Sequence, residues 1–166
     1  DNLSEQIHGC DVDAVKERIK GKFIHGDIRD MASLEEAFSN DIEVIYHFAA
    51  ETGTGQSMYE ISAYTDVNIQ GTANLLSYIQ ENNSSGTLKK IIVASSRAIY
   101  GEGAYCCSDH GEVYPDIRID KDILDKNFEN KCPVCNTAVE LLHTNENAPF
   151  KPASIYGLTK QVQEQM

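Results

Sequence analysis

Basic residues are scarce in this chain: 14 lysines and arginines stand against 26 aspartates and glutamates, for a formal charge of −12. That balance leaves no basic face for a nucleic acid or an anionic membrane, so neither is expected as a partner. No apolar run reaches membrane-spanning length and no charged-then-apolar leader opens the chain, which leads us to expect a soluble, cytoplasmic protein. Cysteines are five, an odd number, and four of them crowd between residues 106 and 135. Such a distribution argues against a disulfide framework and for a local metal site. With 166 residues, 41% of them hydrophobic and none of them tryptophan, one ordinary core is expected. The chain starts at Asp1 and stops at Met166, six residues beyond Lys160, and reads as an incomplete or processed frame.

What is present is an alternation of strand and helix signals. A charged helix is predicted over Val12 to Ile19, and Lys22-Phe23-Ile24-His25, ended by Gly26-Asp27, reads as a strand with its exit turn. Ser33 with Glu36 three residues later matches a capping box and predicts a helix from Ser33 through Phe38. The apolar stretches Ile42 to Ala50 and Leu88 to Ser95 predict strands of the buried kind. Between them Met58, Ile61, Tyr64, Asn68, Thr72, Leu75 and Ile79 recur at helical spacing, predicting one continuous face over Met58 to Asn82.

Strands alternating with helices imply an α/β fold with a parallel sheet and right-handed crossovers. Ligands bind such sheets beyond the carboxyl ends of the strands. That rule selects Asp1, Asp27, the Ala49-Ala50-Glu51-Thr52-Gly53 turn and Ser95-Ser96. Acidic side chains there accept hydrogen bonds from ribose hydroxyls or an adenine amine, and small residues admit a flat ring or a pyrophosphate. At any single position the commoner explanation is that Asp and Gly terminate strands. Further on, Tyr156 and Lys160 lie four apart in a helix-compatible stretch, hence on one face. An ammonium near a phenol favours the phenolate, the form useful for proton transfer. Taken alone, that pair is common on amphipathic helices.

Taken together and in order, Gly26-Asp27-Ile28-Arg29-Asp30, His47-Phe48-Ala49-Ala50, Val67-Asn68-Ile69-Gln70-Gly71-Thr72, Ser95-Ser96-Arg97-Ala98-Ile99-Tyr100-Gly101 and Tyr156 to Lys160 resemble the extended short-chain dehydrogenase/reductases. Within them the chain is most similar to the nucleotide-sugar epimerases and 4,6-dehydratases, and Gly53 to Tyr59 is similar to dTDP-L-rhamnose 4-epimerases. The resemblance covers nearly the whole chain apart from residues 104–149. It implies a partial Rossmann-like, NAD-binding domain over 1–166, a parallel sheet with flanking helices. It further implies Tyr156 as the proton-transferring residue, Lys160 as the group that lowers its pKa and holds the nicotinamide ribose, and Ser96 as the hydrogen-bond partner of the sugar hydroxyl. Asp1 corresponds to the acidic residue that reads the adenosine ribose, favouring NAD over NADP, since a 2′-phosphate beside it would be repelled. Asp27 and Ile28 correspond to the adenine pocket, Phe48, Ala49 and Ala50 to the turn passing the cofactor, and Asn68 to a polar residue of the long helix, where a buried amide needs partners.

The implied activity is reversible hydride transfer at C4 of a nucleotide sugar, giving net epimerisation. Dehydratases of this type carry an Asp-Glu pair after the Ser/Thr. Here Arg97 and Ala98 stand in those places, which favours an epimerase. Relatives dimerise through helices corresponding to residues 58–79 and 156–166, so a homodimer is expected. No Gly-x-x-Gly-x-x-Gly turn precedes Asp1, and the relatives' C-terminal substrate-binding portion is not found before Met166. The isolated chain is therefore expected to be inactive, and a noncatalytic nucleotide-sensing or zinc-ribbon interaction module is the alternative.

Residues 104–149 interrupt the link between the Ser strand and the Tyr helix. Cys107-Ser108-Asp109-His110-Gly111 and Cys132-Pro133-Val134-Cys135-Asn136 form two knuckles 21 residues apart, each followed by a residue that tolerates the left-handed conformation. Cys107, His110, Cys132 and Cys135 make a closed zinc ligand set of the structural type, with Cys106 as a spare able to replace His110. The plainer reading is of reduced surface thiols in an irregular insert. His8, His25, His47 and His143 show no comparable spacing.

Overall fold

Two apolar stretches form the sheet that the alternation predicts, in shorter form. β1 (Val44–His47) and β2 (Lys90–Val93) pair in parallel, Val44 opposite Lys90 through His47 opposite Val93. Lys89 N donates to Glu43 O at 2.8 Å and Ala94 N to His47 O at 3.2 Å, extending the ladder at both ends. The computed structural model describes residues 1–9, 12–39, 41–83 and 86–166; Cys10, the fifth cysteine, lies outside them. The chain divides into two compact units, one built from Asp1–Glu51 and Ser62–Ala94, the other from Thr52–Ile61 and Ser95–Gln165.

In the first unit the polypeptide between the two strands ends in one long helical stretch: α4 (Ile61–Tyr64), a π-turn (Thr65–Gln70) and α5 (Gly71–Asn82). Tyr64, Val67, Asn68, Gly71, Thr72 and Leu75 form its buried face at three- and four-residue steps. The face starts later than the periodicity predicts. Met58 belongs to a separate 3₁₀ turn (Gln56–Met58) and is exposed. Gly53, at φ +119°, turns the chain first, a conformation open to glycine.

Asn68 is fully buried and finds the backbone partners its amide requires: Oδ1 accepts from Glu51 N at 2.7 Å and Nδ2 donates to Glu51 O at 3.1 Å. This amide acts as a one-residue strand that holds the turn beyond β1. Below it, Thr72 Oγ1 donates to Asn68 O at 2.6 Å and lies 2.8 Å from His47 Nε2. A hydroxyl has one proton, so Nε2 of His47 must carry its own and donate.

Several expectations are corrected. Residues 22–25 form no strand; instead Asp1 N donates to Ile24 O and Gly26 N to Asp1 O, a parallel ladder one residue long. The strands are also not buried on both faces. Val44 and Tyr46 are 43% and 63% exposed, and Ile92 and Val93 are exposed too, because the sheet has two strands and covers little of itself. The helix expected from Ser33 is α3 (Met31–Ala37), capped by Asp30, whose carboxylate accepts from Ala32 N and Ser33 N. Two acceptor oxygens two and three residues back outcompete a hydroxyl, and Ser33 Oγ donates to Asp30 Oδ2 at 2.8 Å. A short α1 (Glu5–His8) comes first, and α2 (Val12–Glu17) stops short of Ile19.

Asp27 is enclosed by hydrogen bonds from Arg29 N, Nε and NH2 and from Asn2 Nδ2, while Arg29 NH1 reaches Asp66 at 2.8 Å. The Arg29 guanidinium holds the Asp27 carboxyl well below the usual carboxylate range. A carboxyl with a depressed folded-state pKa adds stability that is complete above the ordinary range near 4 and is lost as pH falls through the lowered value. Arg29→Met is therefore expected to reduce stability at neutral pH, with the difference from the parent protein vanishing as pH is lowered below that range. Denaturant unfolding followed at a series of pH values checks this.

The second unit carries the insert. β3 (Tyr105–Cys107) and β4 (Gly111–Val113) form an antiparallel hairpin, Tyr105 opposite Val113, and β5 (Glu140–Leu141) pairs with the other edge of β3. Lys131 and Ala138 bridge antiparallel, closing a second turn in which Cys132 N donates to Thr137 O at 2.8 Å and Asn136 sits at φ +60°. The exposed α6 (Asp120–Leu124) lies between the two turns. Thr144 Oγ1 accepts from Ala104 N and Leu142 N donates to Ala104 O, so the insert begins and ends side by side. Its small core is Cys107, Val113 and Cys132, flanked by Tyr105, Cys135 and Val139. The unit ends in α7 (Ile155–Gln165). Among the described residues no helix is long and apolar enough to cross a membrane.

Candidate functional site

The helix predicted around Tyr156 and Lys160 is α7, and its first turn is capped twice. Ser154 Oγ accepts from Gly157 N at 3.0 Å; Ser57 Oγ accepts from Tyr156 N at 3.0 Å while donating to Thr54 O at 2.7 Å. Two backbone donors left without helical partners are thereby satisfied, and the Tyr156 backbone is tied to the Gln56–Met58 turn. Ser57 is fully buried. A lone serine in a glycine-containing loop carries no pattern, which is why the sequence did not single it out.

Ser96 leaves its strand in an extended conformation and caps the 3₁₀ turn Arg97–Tyr100, accepting from Ala98 N at 3.2 Å. Ile99, 1% exposed, anchors that turn. α7 packs on it through Gly157: a Cβ there would stand 2.6 Å from Ala98 O and 3.2 Å from Pro152 Cβ. Ser95 Oγ donates to Glu164 Oε2 at 2.5 Å, so the far end of α7 is also fastened to the strand exit. The outcome is a cavity of about 390 Å³ whose wall includes Thr54, Met58, Ser96, Arg97, Ser154 and Tyr156. Ser96 and Tyr156, 60 residues apart in sequence, thus line one space. Lys160, one turn along, is 3% exposed, and burial pushes its ammonium down from the ordinary lysine value.

Gly157→Ala is expected to force the helix away from the Ser96 turn, since the obstructing atom is backbone. The expected cost is about 1–3 kcal/mol of stability, read by denaturant unfolding, and the separation of Ser96 from Tyr156 should grow in a crystal structure of the variant.

Of the residues expected to hold a cofactor, Tyr156 and Lys160 belong to the second unit and the other seven to the first. Asp1 Oδ1 accepts from Leu3 N at 2.7 Å, and its carboxylate pairs with His8 Nε2 at 3.1 Å. Asp27 already receives four hydrogen bonds, so a ligand amine would have to displace one. Ile28 is turned against Gly71 of α5, leaving no room for a side chain at residue 71. Phe48 and Ala49 are exposed and Ala50 is half-buried, an open small-residue turn that Asn68 locks from below. The open turn and the carboxylate of Asp1 suit a dinucleotide.

The second cluster is the insert's. Cys107 Sγ lies 3.6 Å from Cys135 Sγ and 3.5 Å from His110 Nδ1, and Cys132 Sγ lies 3.7 Å from the same nitrogen. All four donor atoms fall within 4.8 Å of one another. A tetrahedral zinc with metal–sulfur bonds of about 2.3 Å and metal–nitrogen bonds of about 2.0 Å has ligand–ligand edges of about 3.5–3.8 Å. The separations of 3.5, 3.6 and 3.7 Å are of that size. His110 holds the Cys107 thiol down to about 6, toward the thiolate that binds metals. Val134 N donates to Cys132 Sγ at 3.4 Å, and Thr137 Oγ1 lies 3.0 Å from Cys135 Sγ, outer contacts that orient the sulfurs. Cys106 is outside the cluster. Successive strand residues face opposite ways, so β3 points Cys107 in and Cys106 away.

A parallel strand pair joined through a helical crossover places the first unit in the α/β class of Rossmann-like folds. The chain belongs to the NAD dependent epimerase/dehydratase family, whose model matches residues 2–116. It is 34% identical over 167 aligned positions to the dTDP-L-rhamnose 4-epimerase of Burkholderia thailandensis, covering 99% of this chain and 44% of that protein. It is 38% identical over 81 residues to the UDP-glucose 4-epimerase of Halalkalibacterium halodurans, 48% of this chain and 23% of that one. Among solved structures it resembles the UDP-glucose 4-epimerase of Bifidobacterium longum in complex with NAD⁺ and UDP, with a TM-score of 0.60 at 26% identity, over 97% of this chain and 34% of that one. The NAD complex of the Brucella ovis UDP-glucose 4-epimerase gives 0.62 at 25% identity, over 91% and 34%. The chain thus spans less than half the length of these relatives.

Proposed function

We propose that these residues belong to an NAD-dependent nucleotide-sugar 4-epimerase. The observation that carries this reading is the shared cavity of Ser96 and Tyr156, with Lys160 buried one helical turn away. In this reading Ser96 holds the sugar 4-hydroxyl, Tyr156 as phenolate takes its proton and later returns one, and the positive charge of Lys160 favours the phenolate. NAD, when bound, supplies the hydride acceptor at C4. Asp1, Asp27, Ile28, Phe48, Ala49, Ala50 and Asn68, together with Tyr156 and Lys160, are the residues we assign to holding it. Arg97 and Ala98 offer no acid–base pair for elimination at neighbouring carbons, which supports epimerisation over dehydration.

The assignment extends to the molecule's setting. Residues 1–166 are read as part of an NAD-binding domain in a cytoplasmic protein, with 104–149 as hairpins clipped by one zinc ion at Cys107, His110, Cys132 and Cys135. Ile61, an exposed apolar residue at the head of the long helix, and Met58, exposed on the turn before it, support the homodimer reading through residues 58–79 and 156–166.

The test is turnover of dTDP-, UDP- and GDP-sugars by the protein in its complete reading frame, with and without added NAD. Interconversion at C4 without net cofactor consumption is the expected result, and the 166 residues alone are expected to show none. Binding of nucleotide without turnover by the complete protein would favour the nucleotide-sensing reading instead. Metal analysis that finds no zinc in protein purified without chelator would remove the zinc clip.

A further inference from the structure

Four arginines occur in this acidic chain. Two are consumed by carboxylates: Arg29 binds Asp27 and Asp66, and Arg118 forks onto both oxygens of Glu102. Arg97 differs. It lines the cavity that holds Ser96 and Tyr156, it is exposed, and among the described residues its guanidinium has no hydrogen bond or ion pair. No carboxylate lines that cavity, and Arg97 is its one charged residue among those described. In a protein of charge −12, a cation kept free of carboxylates beside the reacting pair is a local reversal of sign.

A guanidinium is a planar fork of donors that matches the paired oxygens of a phosphate or carboxylate, and it stays charged across the physiological range. Its position adjoins Ser96 in sequence, on the 3₁₀ turn fixed by Ile99 and by the Gly157 contact, so its backbone is anchored while its side chain remains unengaged. We infer that Arg97 binds an oxyanion of the substrate and thereby holds the sugar against Ser96 and Tyr156. This rests on the epimerase reading and deepens it by naming a specificity-determining residue. Two groups on a nucleotide sugar offer that chemistry: the diphosphate, present on every such substrate, and the carboxylate of a uronosyl sugar, beside C4.

The experiment uses Arg97→Met and Arg97→Lys in the complete reading frame, assayed with a dTDP-6-deoxyhexose, a UDP-hexose and a UDP-uronate. Arg97 is exposed, so both variants are expected to fold as the parent does, checked by circular dichroism. If the diphosphate is the partner, Arg97→Met raises KM for every substrate by about tenfold to a hundredfold, the loss expected for a hydrogen bond to a charged group. In that case kcat changes little and Arg97→Lys recovers part of the loss. If the carboxylate is the partner, the parent protein favours the uronate and Arg97→Met abolishes only that preference. KM values within twofold of the parent for all three substrates would overturn the inference while leaving the epimerase reading intact. Should the parent protein turn over none of them, the epimerase reading fails. Calorimetric titration with UDP and with UDP-glucuronic acid then decides on Arg97 separately: weakening by Arg97→Met supports it, and unchanged affinity for both removes it.

Discussion

Cys132→Ser is expected to abolish zinc binding and to loosen residues 104–149, while Cys106→Ser leaves one zinc per chain in place. Cys132 opens the Cys-x-x-Cys knuckle, whereas Cys106 stands beside Cys107 just outside the other one. Cys132 is buried and its sulfur lies 3.7 Å from His110 Nδ1, whereas Cys106 points off the opposite face of β3. The insert has little else to hold it. Its apolar core is three residues, two of them the proposed ligands Cys107 and Cys132, and Ile117, Ile119, Leu124, Val134 and Leu141 are all exposed. Structural zinc in small finger peptides contributes about 10–16 kcal/mol of apparent binding energy, far more than three small side chains supply. Removing one of four ligands should therefore be felt as faster amide exchange across both hairpins, with metal content falling from one equivalent toward zero. Stoichiometric zinc in the Cys132 variant, or its loss from the Cys106 variant, would contradict this ligand set.

The Cys/His cluster also shows where sequence spacing ends and topology begins. Two Cys-x-x-ligand knuckles are legible as a pattern, but the choice between Cys106 and His110 is not, because it depends on which residue of β3 faces the second turn. Strand alternation turns Cys107 toward the cluster and Cys106 away from it once the pairing of Tyr105 with Val113 and Leu141 is known. The same holds for helices. α7 is legible from Tyr156 and Lys160, and the long helix from its apolar period, yet the break at Gly53 that separates Met58 from the buried face is a backbone event. The cap of α3 was misplaced by three residues because Asp30 competes with Ser33, and a serine at the third helical position satisfies the capping-box pattern without being the cap. Strand burial is lower than the pattern implies for a different reason: an apolar, β-branched run reports what a strand is fit to pack against, and among the described residues β1 and β2 have no further strand beside them. Ser57 and Gly157, which hold the start of α7 against two turns, make their contacts across about 100 and 60 residues of sequence respectively and leave no local trace.

Tyr156→Phe is expected to lower kcat by about 10²–10⁴, the range attributed to a positioned proton-transfer group, with KM changed by no more than a few fold. Phenylalanine preserves the ring, and the features that place residue 156 are backbone ones: its N–H donates to Ser57 Oγ, and its carbonyl accepts from Thr159 Oγ1 at 2.9 Å. The substitution therefore deletes a hydroxyl and leaves the helix intact. Ser96→Ala is a less clean probe, since Ser96 Oγ also caps the Arg97–Tyr100 turn and losing a cap costs about 0.5–2 kcal/mol. Ser96→Thr keeps both the cap and the hydroxyl and should retain most activity. Measured in the complete reading frame, a Tyr156→Phe protein that keeps more than a tenth of the parent kcat would remove Tyr156 from proton transfer. It would leave Ser96 and Lys160 as a binding surface without a base.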